Sequence, residues 1–167
     1  MQRILISACL LGRKVRYDGN HKAVTDFRLD RWRREGRLVP ICPELAAGFG
    51  TPRPPAEIVG AGDGVRVLRG QAVVRENSGD DVTSAYLAGA QEALDLAREH
   101  DAGYAVLADG SPSCGSHRIY DGTFAGKTKP GMGVTAALLQ RHGIAVYSES
   151  EIPLLEAALA AEVATSP

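Results

Sequence analysis

Short apolar runs alternate with amphipathic stretches along the chain, and this alternation predicts strands separated by helices. Four runs have the length and composition of buried strands, and they lie at about residues 2–8, 38–42, 104–108 and 144–148. Apolar residues at three- and four-residue spacing predict helices at about residues 25–35, 78–100 and 131–142 and from residue 150 onwards. Strands that alternate with helices are typical of a parallel sheet covered on both faces. The pattern therefore predicts one three-layer α/β domain over residues 1–167, with a mostly parallel, Rossmann-like sheet.

Three local segments complete the predicted organisation. Ser78 is the N-cap candidate of a long helix whose apolar stripe includes Tyr86, because an acidic residue follows it at the third position. The apolar runs at 65–68 and 71–74 flank a two-residue turn and predict a small β-hairpin. The Gly-rich stretch 126–133 lacks the spacing of a phosphate-binding loop, so it predicts a flexible loop that opens the next helix.

Composition and charge exclude several classes of partner. The chain has 19 Lys and Arg against 20 Asp and Glu, so no excess of positive charge predicts a nucleic acid polymer as partner. No apolar stretch approaches the about 20 residues that span a bilayer, and the N-terminal segment lacks the features of an export signal. We therefore expect a cytoplasmic protein with reduced thiols and no membrane contact. The sequence does not indicate an oligomeric state.

The chain has three cysteines, and each of them follows one of the predicted strands. Cys9 follows the first strand, Cys42 the second, and Cys114 the strand at 104–108. Loops that leave the carboxyl ends of parallel strands share one edge of the sheet, so we expect the three thiols to meet there. An odd number of cysteines does not suit a disulfide framework. Three soft ligands with a fourth position open are typical of a reactive metal site, and thiolates favour zinc, copper(I) or an iron–sulfur cluster.

Four polar residues near the cysteines each have two interpretations. Glu44 is either an acid at a helix N-terminus, where the dipole favours negative charge, or a general acid or base beside the metal. Ser111 and Ser113 are either ordinary turn residues or donors of a hydrogen bond or a proton to bound substrate. Arg53 lies on a proline-stiffened loop and is either a clamp for an anion or carbonyl or a partner in a surface salt bridge.

A series of motifs also occurs in order along nearly the whole chain. They are Ser7-x-Cys9-Leu10-x-Gly12, Tyr17-x-Gly19, Cys42-Pro43-Glu44, Arg53-Pro54-Pro55-x-Glu57, Ser111-Pro112-Ser113-Cys114-Gly115, Ile119-Tyr120-Asp121-Gly122-Thr123-Phe124, Gly133-Val134-Thr135-Ala136-Ala137-Leu138-Leu139 and Ser148-Glu149. On these motifs the chain resembles the domain of unknown function 523 family, whose characterised members are thiouracil desulfidases. One position differs, because many relatives place a lysine shortly before the Ser-Pro-Ser-Cys motif and this chain has Ala108-Asp109-Gly110 there.

The resemblance implies a cofactor and a reaction. It implies that the three cysteines hold a 4Fe–4S cluster with one open iron, which captures the sulfur of a thiolated base or nucleoside. Glu44 and Ser111 would be the catalytic pair, with Glu44 deprotonating a water and Ser111 relaying a proton, while Arg53 and Ser113 would bind substrate. The products would be a carbonyl compound and hydrosulfide, without redox change. Two alternatives stay open at this point: a zinc hydrolase with three cysteine ligands, and a non-catalytic metal or thiol sensor.

Overall fold

The structure is a computed structural model that describes residues 1–165. Its strands are β1 Arg3–Ser7, β2 Leu38–Ile41, β3 Ala56–Val59, β4 Val73–Glu76, β5 Ala102–Leu107, β6 Arg118–Tyr120, β7 Thr128–Pro130 and β8 Ala145–Ser148. Its α-helices are α1 Phe27–Arg34, α2 Pro43–Ala46, α3 Gly64–Leu68, α4 Thr83–Glu99, α5 Val134–Arg141 and α6 Ile152–Thr165. Two 3-10 turns are formed by Ala8–Leu11 and Glu149–Glu151. No helix in this part of the chain is long and apolar enough to cross a membrane.

Four parallel strands form the central sheet, in the order β2–β1–β5–β8. The alternation of side chains along each strand divides the core between the two faces of the sheet. Leu5 and Ala105 pack on the side of α4 and α5, while Ile4, Ile6 and Val106 pack on the side of α1 and α6. Helices on both faces explain why the strand sequences are nearly continuous apolar runs. The predicted three-layer α/β architecture with a parallel sheet is confirmed.

The predicted hairpin at 65–68 and 71–74 is wrong. The first run lies in helix α3, because Asp63 accepts a hydrogen bond from the Val65 amide at 3.0 Å and caps the helix. The second run overlaps β4, which pairs in antiparallel fashion with β3 instead. The run at 65–68 therefore has the composition of a strand, but a helix cap determines its structure, and the second run pairs with β3 instead.

The two other local expectations also need correction. The long helix begins at Thr83 and not after Ser78, because Asp81 accepts the Thr83 amide at 2.9 Å and the Val82 amide bonds to β4 at Val74. The Gly-rich stretch 126–133 is not wholly a loop, because its middle forms β7 and pairs with β6. In both places, backbone pairing with a neighbouring strand changes the structure that the local sequence predicts.

Candidate active site

A cavity of about 450 Å³ opens at the carboxyl edge of the sheet. It lies over β2, β1 and β5, which are adjacent in the sheet, and all three cysteines line it. Cys9 is in the 3-10 turn that follows β1, Cys42 directly follows β2, and Cys114 is in the loop that follows β5. The sequence predicts that the thiols meet at this edge, and the structure places them around one cavity because their strands are neighbours.

Local backbone interactions fix the first two cysteines. The Cys9 carbonyl accepts the amides of Gly12 at 3.2 Å and Lys22 at 3.0 Å, so the turn after β1 is tied to the next loop. Gly12 has φ 89°, a left-handed conformation that favours glycine, and it ends the turn. Cys42 is the N-cap residue of the short helix α2, with Pro43 at its first position.

The loop that carries Cys114 is held by the start of helix α5. The amides of Gly133, Val134 and Thr135 donate to carbonyls of residues 112–115 at 2.7 to 2.9 Å. A helix start leaves its first amides without intrahelical partners, and here the cysteine loop supplies the acceptors. A Cβ at Gly133 would lie 2.4 Å from the Ser113 carbonyl oxygen, so the close approach requires glycine. These amides are therefore committed to the loop and do not form an anion site.

The three thiols are free and lie in poorly solvated surroundings. Burial raises the pKa of each thiol above its usual range, and the negative charge of Glu44 raises all three further. For Cys42 the pKa rises to about 11. Thiolates in such a site need a compensating cation, and metal binding supplies one as it displaces the protons. The donor set therefore suits a soft metal centre.

The chemistry of the donors also fits an iron–sulfur cluster. Within residues 1–165, no three His, Cys, Asp or Glu side chains lie close enough together to hold one metal ion. Ligands of one tetrahedral zinc ion lie about 2.3 Å from the metal, which brings their sulfur atoms close to one another. Cysteines of an iron–sulfur cluster bind different irons and therefore stand further apart. Three cysteines that line one cavity therefore fit an iron–sulfur cluster.

Glu44 lies at the centre of the polar contacts in the cavity. Its Oε1 accepts the Ser111 hydroxyl at 3.4 Å, and its Oε2 lies 3.4 Å from the Cys42 Sγ and 3.7 Å from an Arg53 nitrogen. The Glu44 residue is only 8% exposed. The Arg53 guanidinium also donates to the Val15 carbonyl at 2.8 Å, so it ties the carboxylate to the loop that contains Val15. The structure thus brings Glu44, Ser111 and Arg53 together beside Cys42.

The two serines of the cysteine loop have different surroundings. The Ser111 Oγ accepts the amides of Ser113 at 3.0 Å and Cys114 at 3.1 Å, so its own proton is directed at Glu44. The Ser113 hydroxyl is buried and bonds to the Thr135 hydroxyl at 2.7 Å. Ser111 lines the cavity, whereas Ser113 is not among the residues that line it.

Asp109 and Lys22 lie where the family resemblance leads us to expect a lysine. The Asp109 Oδ1 accepts the backbone amides of residues 116, 117 and 118 at 3.0 to 3.1 Å. Partial burial raises the pKa of Asp109, but these hydrogen bonds outweigh it and lower the pKa overall. Lys22 donates to the Asp109 carbonyl at 3.2 Å, forms an ion pair with Glu149 and lines the cavity. An ammonium group from another loop therefore lies at this position.

The mouth of the cavity is formed by aromatic side chains that sequence reasoning left without a role. Tyr17, Tyr120 and Phe124 line it and are 43%, 40% and 37% exposed, respectively. The buried Glu57 accepts the amides of Gly122 at 2.9 Å and Phe124 at 3.2 Å, which holds this loop in place. Phe124 has φ 56°, which is unusual for a bulky side chain. The only sequence signal for these residues is their place in the family motifs.

Comparison with known proteins identifies the class of this chain. A family model described as 2-thiouracil desulfurase matches residues 4–151, and the chain belongs to that family. The chain is 49% identical over 149 residues to the uncharacterized protein YbbK of Bacillus subtilis (strain 168), covering 89% of this chain and 97% of that protein. It is also similar to a solved structure described as a 4Fe–4S-dependent thiouracil desulfidase, TudS. That similarity has a TM-score of 0.87 at 46% identity and covers 96% of this chain and 99% of the other. The family membership predicted from the motifs is confirmed.

Proposed function

We propose that this protein is a 4Fe–4S-dependent desulfidase that converts a thiolated nucleobase such as thiouracil to the carbonyl compound and hydrosulfide. The observation that carries the proposal is the meeting of three thiols with an acid–hydroxyl pair in one cavity. The match to the 2-thiouracil desulfurase family and the similarity to the thiouracil desulfidase support the same activity. Residues 1–167 would form a single desulfidase domain.

Three thiols from three adjacent strands would hold the cluster: Cys9, Cys42 and Cys114. When bound, a cluster with three protein thiolates supplies one iron that is free to bind and polarise the substrate sulfur. The protein contributes a poorly solvated pocket, which strengthens electrostatic interactions inside it. It also contributes the polar groups that handle protons.

Glu44 would act as the general base. Its carboxylate accepts a proton from the water that attacks the thiocarbonyl carbon. In the structure, the Cys42 thiol lies at hydrogen-bond distance from the Glu44 Oε2. A Cys42 thiolate no longer donates this hydrogen bond, so Oε2 becomes available to the water. Arg53 holds the same carboxylate in place from the other side and would contact the substrate.

Ser111 would orient Glu44 and relay a proton. Its two acceptor interactions with loop amides leave the hydroxyl proton directed at the Glu44 Oε1. The substrate-binding role predicted for Ser113 stays a prediction, and its bond to Thr135 favours support of the cysteine loop instead. Proton movement in the site therefore runs between Glu44 and Ser111.

The cavity favours a small-molecule substrate. A volume of about 450 Å³ lies within the range of small-ligand sites and suits a base or a nucleoside. The balanced charge of the chain gives no support for a nucleic acid polymer as partner. Three free thiols in one site also support a location in the cytoplasm, where reducing conditions keep thiols free.

Anaerobic assay of the protein with and without its cluster tests the proposed function. Protein purified or reconstituted without oxygen should contain iron and sulfide and should absorb in the visible range. It should consume thiouracil and release hydrosulfide in equal amounts, and cluster removal should abolish this turnover. Turnover by iron-free, zinc-loaded protein would support the zinc hydrolase instead. Tight binding of cluster or thiouracil without any turnover would support a sensor.

A further inference from the structure

The hydroxyl of one largely buried side chain in the cavity has no hydrogen-bond partner in the described part of the chain. Tyr86 lines the cavity from helix α4 and is only 6% exposed. Its hydroxyl has no hydrogen-bond partner among residues 1–165. The hydroxyl is not among the fully buried atoms without a partner, so it is open to the cavity, where a bound molecule can accept its hydrogen bond.

Close packing of two helices holds Tyr86 next to the predicted catalytic residues. Gly89 lies one turn further along α4, and a Cβ there would be 2.4 Å from the Pro43 carbonyl oxygen in α2. Only glycine permits this approach, which brings the face of α4 that carries Tyr86 against the helix that carries Glu44. The Tyr86 ring also packs against Phe49, with 5.6 Å between ring centroids. The side chain is therefore fixed and not a mobile surface tyrosine.

The hydroxyl of Tyr86 is a hydrogen-bond donor throughout the physiological range. Burial raises its pKa well above the usual value, and the negative charge of Glu44 raises it further, while Arg53 acts in the opposite direction. A neutral phenol presents an O–H to the cavity. The tyrosines at the cavity mouth, Tyr17 and Tyr120, differ because water can reach both of them.

The other deep polar groups in the cavity are already committed. The Ser111 proton is directed at Glu44, while the Ser7 hydroxyl accepts the Ala108 amide at 2.9 Å and also hydrogen-bonds to Cys114. Arg53 is bound to the Val15 carbonyl, and Glu57 accepts backbone amides. Tyr86 is left as the uncommitted donor in this part of the cavity.

We propose that Tyr86 is a substrate-binding residue whose hydroxyl donates a hydrogen bond to an oxo group of the heterocycle other than the thiocarbonyl. This inference rests on the proposed function, because it takes the ligand to be a thiolated pyrimidine. Thiouracil has one such oxo group beside its C=S group. The bond selects pyrimidines that carry an acceptor at this position and fixes the ring relative to Glu44.

Substitution of Tyr86 combined with removal of oxo groups from the ligand tests the proposal. Tyr86→Phe keeps the ring and its packing against Phe49 and removes only the hydroxyl. Calorimetric titration of the cluster-loaded protein with uracil, 2-pyrimidinone and 4-pyrimidinone measures the contribution of each oxo group. In the wild type, one of the two pyrimidinones should bind roughly tenfold more weakly than uracil. In Tyr86→Phe this difference should disappear, because uracil itself binds roughly tenfold more weakly.

The matched control is Tyr147→Phe, which removes the hydroxyl of a tyrosine outside the cavity and should leave all three affinities unchanged. Iron content and melting temperature establish that Tyr86→Phe is folded and loaded. If Tyr86→Phe bound all three ligands more weakly by the same factor, or bound uracil as tightly as the wild type does, the proposal would be overturned. Failure of the wild type to bind uracil would overturn it as well. Wild-type protein that binds uracil but never turns over thiouracil would instead contradict the proposed function, and the titration would still decide the role of Tyr86.

Discussion

The cavity has two walls that are built in different ways. The inner wall consists of residues at or near the ends of parallel strands, namely Cys9, Cys42, Glu44, Ser111 and Cys114. The outer wall consists of loop residues at the mouth, namely Tyr17, Tyr120 and Phe124. The sheet and helix α5 fix the inner wall, whereas a few hydrogen bonds to Glu57 hold much of the outer one. We therefore propose that the inner wall performs the chemistry and that the outer wall adjusts which molecule enters.

Loss of an inner-wall thiol should have the largest effect. Replacement of Cys9, Cys42 or Cys114 by serine should abolish both iron retention and turnover, because a hydroxyl is a poor ligand for a soft metal centre. Iron analysis and the anaerobic thiouracil assay measure the two effects, and circular dichroism establishes that each variant is folded. A variant that retains full iron content would remove that cysteine from the set of ligands.

Loss of the proposed base should separate chemistry from cluster binding. Glu44→Gln keeps the shape of the side chain but cannot take up a proton, so kcat should fall by about 10²–10⁴-fold. Iron content should stay at the wild-type level, since the three thiols are unchanged. Turnover at the wild-type rate would exclude Glu44 as the base. If the cluster were lost as well, Glu44 would instead be a residue that supports Cys42.

Substitution of the two serines in the cysteine loop should lower kcat less than Glu44→Gln does, and the loss should be larger for Ser111 than for Ser113. Ser111→Ala removes the hydroxyl that contacts Glu44 and should lower kcat by about tenfold or more, within the lower range of proton-transfer effects. Ser113→Ala is the matched comparison, because it removes a hydroxyl that bonds to Thr135 instead. Stopped-flow absorbance with both variants gives kcat and KM. A larger loss of kcat in Ser113→Ala would contradict the proton pathway proposed for Ser111.

Changes in the outer wall should have the smallest effect and should appear in KM. Phe124→Gly relieves a left-handed backbone conformation that costs about 1–2 kcal/mol for other residues, which offsets the lost packing of the ring. We expect an unchanged or higher melting temperature, an unchanged kcat and a KM raised several-fold. Asp101→Gly is the control, because Asp101 also has positive φ, at 51°, but does not line the cavity. A fall in kcat without a rise in KM would contradict the division between the walls.

The sequence predicts the inner wall much better than the outer one. Strands β1, β2 and β5 are continuous apolar runs, and strand ends in a parallel sheet meet at one edge, so the position of Cys9, Cys42 and Cys114 follows from the pattern. Helix α3 could not be predicted, because its run of valine and leucine is typical of a strand. Tertiary contacts hold the start of this helix, because Asp63 accepts the Met132 amide and the Gly64 amide donates to the Met132 carbonyl.

Tyr86 shows a second limit of sequence reasoning. In the sequence it belongs to the apolar stripe of a helix, which indicates a core residue. Only the close contact between α4 and α2, made possible by Gly89, brings it to the cavity. The positive φ of Phe124 is equally invisible in the sequence, since loop geometry there depends on Glu57, which is distant along the chain.

The strand order has a consequence for the biogenesis of the site. β1 is synthesised first but lies between β2 and β5, so the first cysteine occupies the middle of the set. During translation, Cys9 and Cys42 leave the ribosome well before β5 and Cys114 are available. Contacts across such long sequence separations form late and slowly in folding. The three-thiol site is therefore complete only after β5 has docked against β1, and we expect a cluster to enter a nearly finished domain.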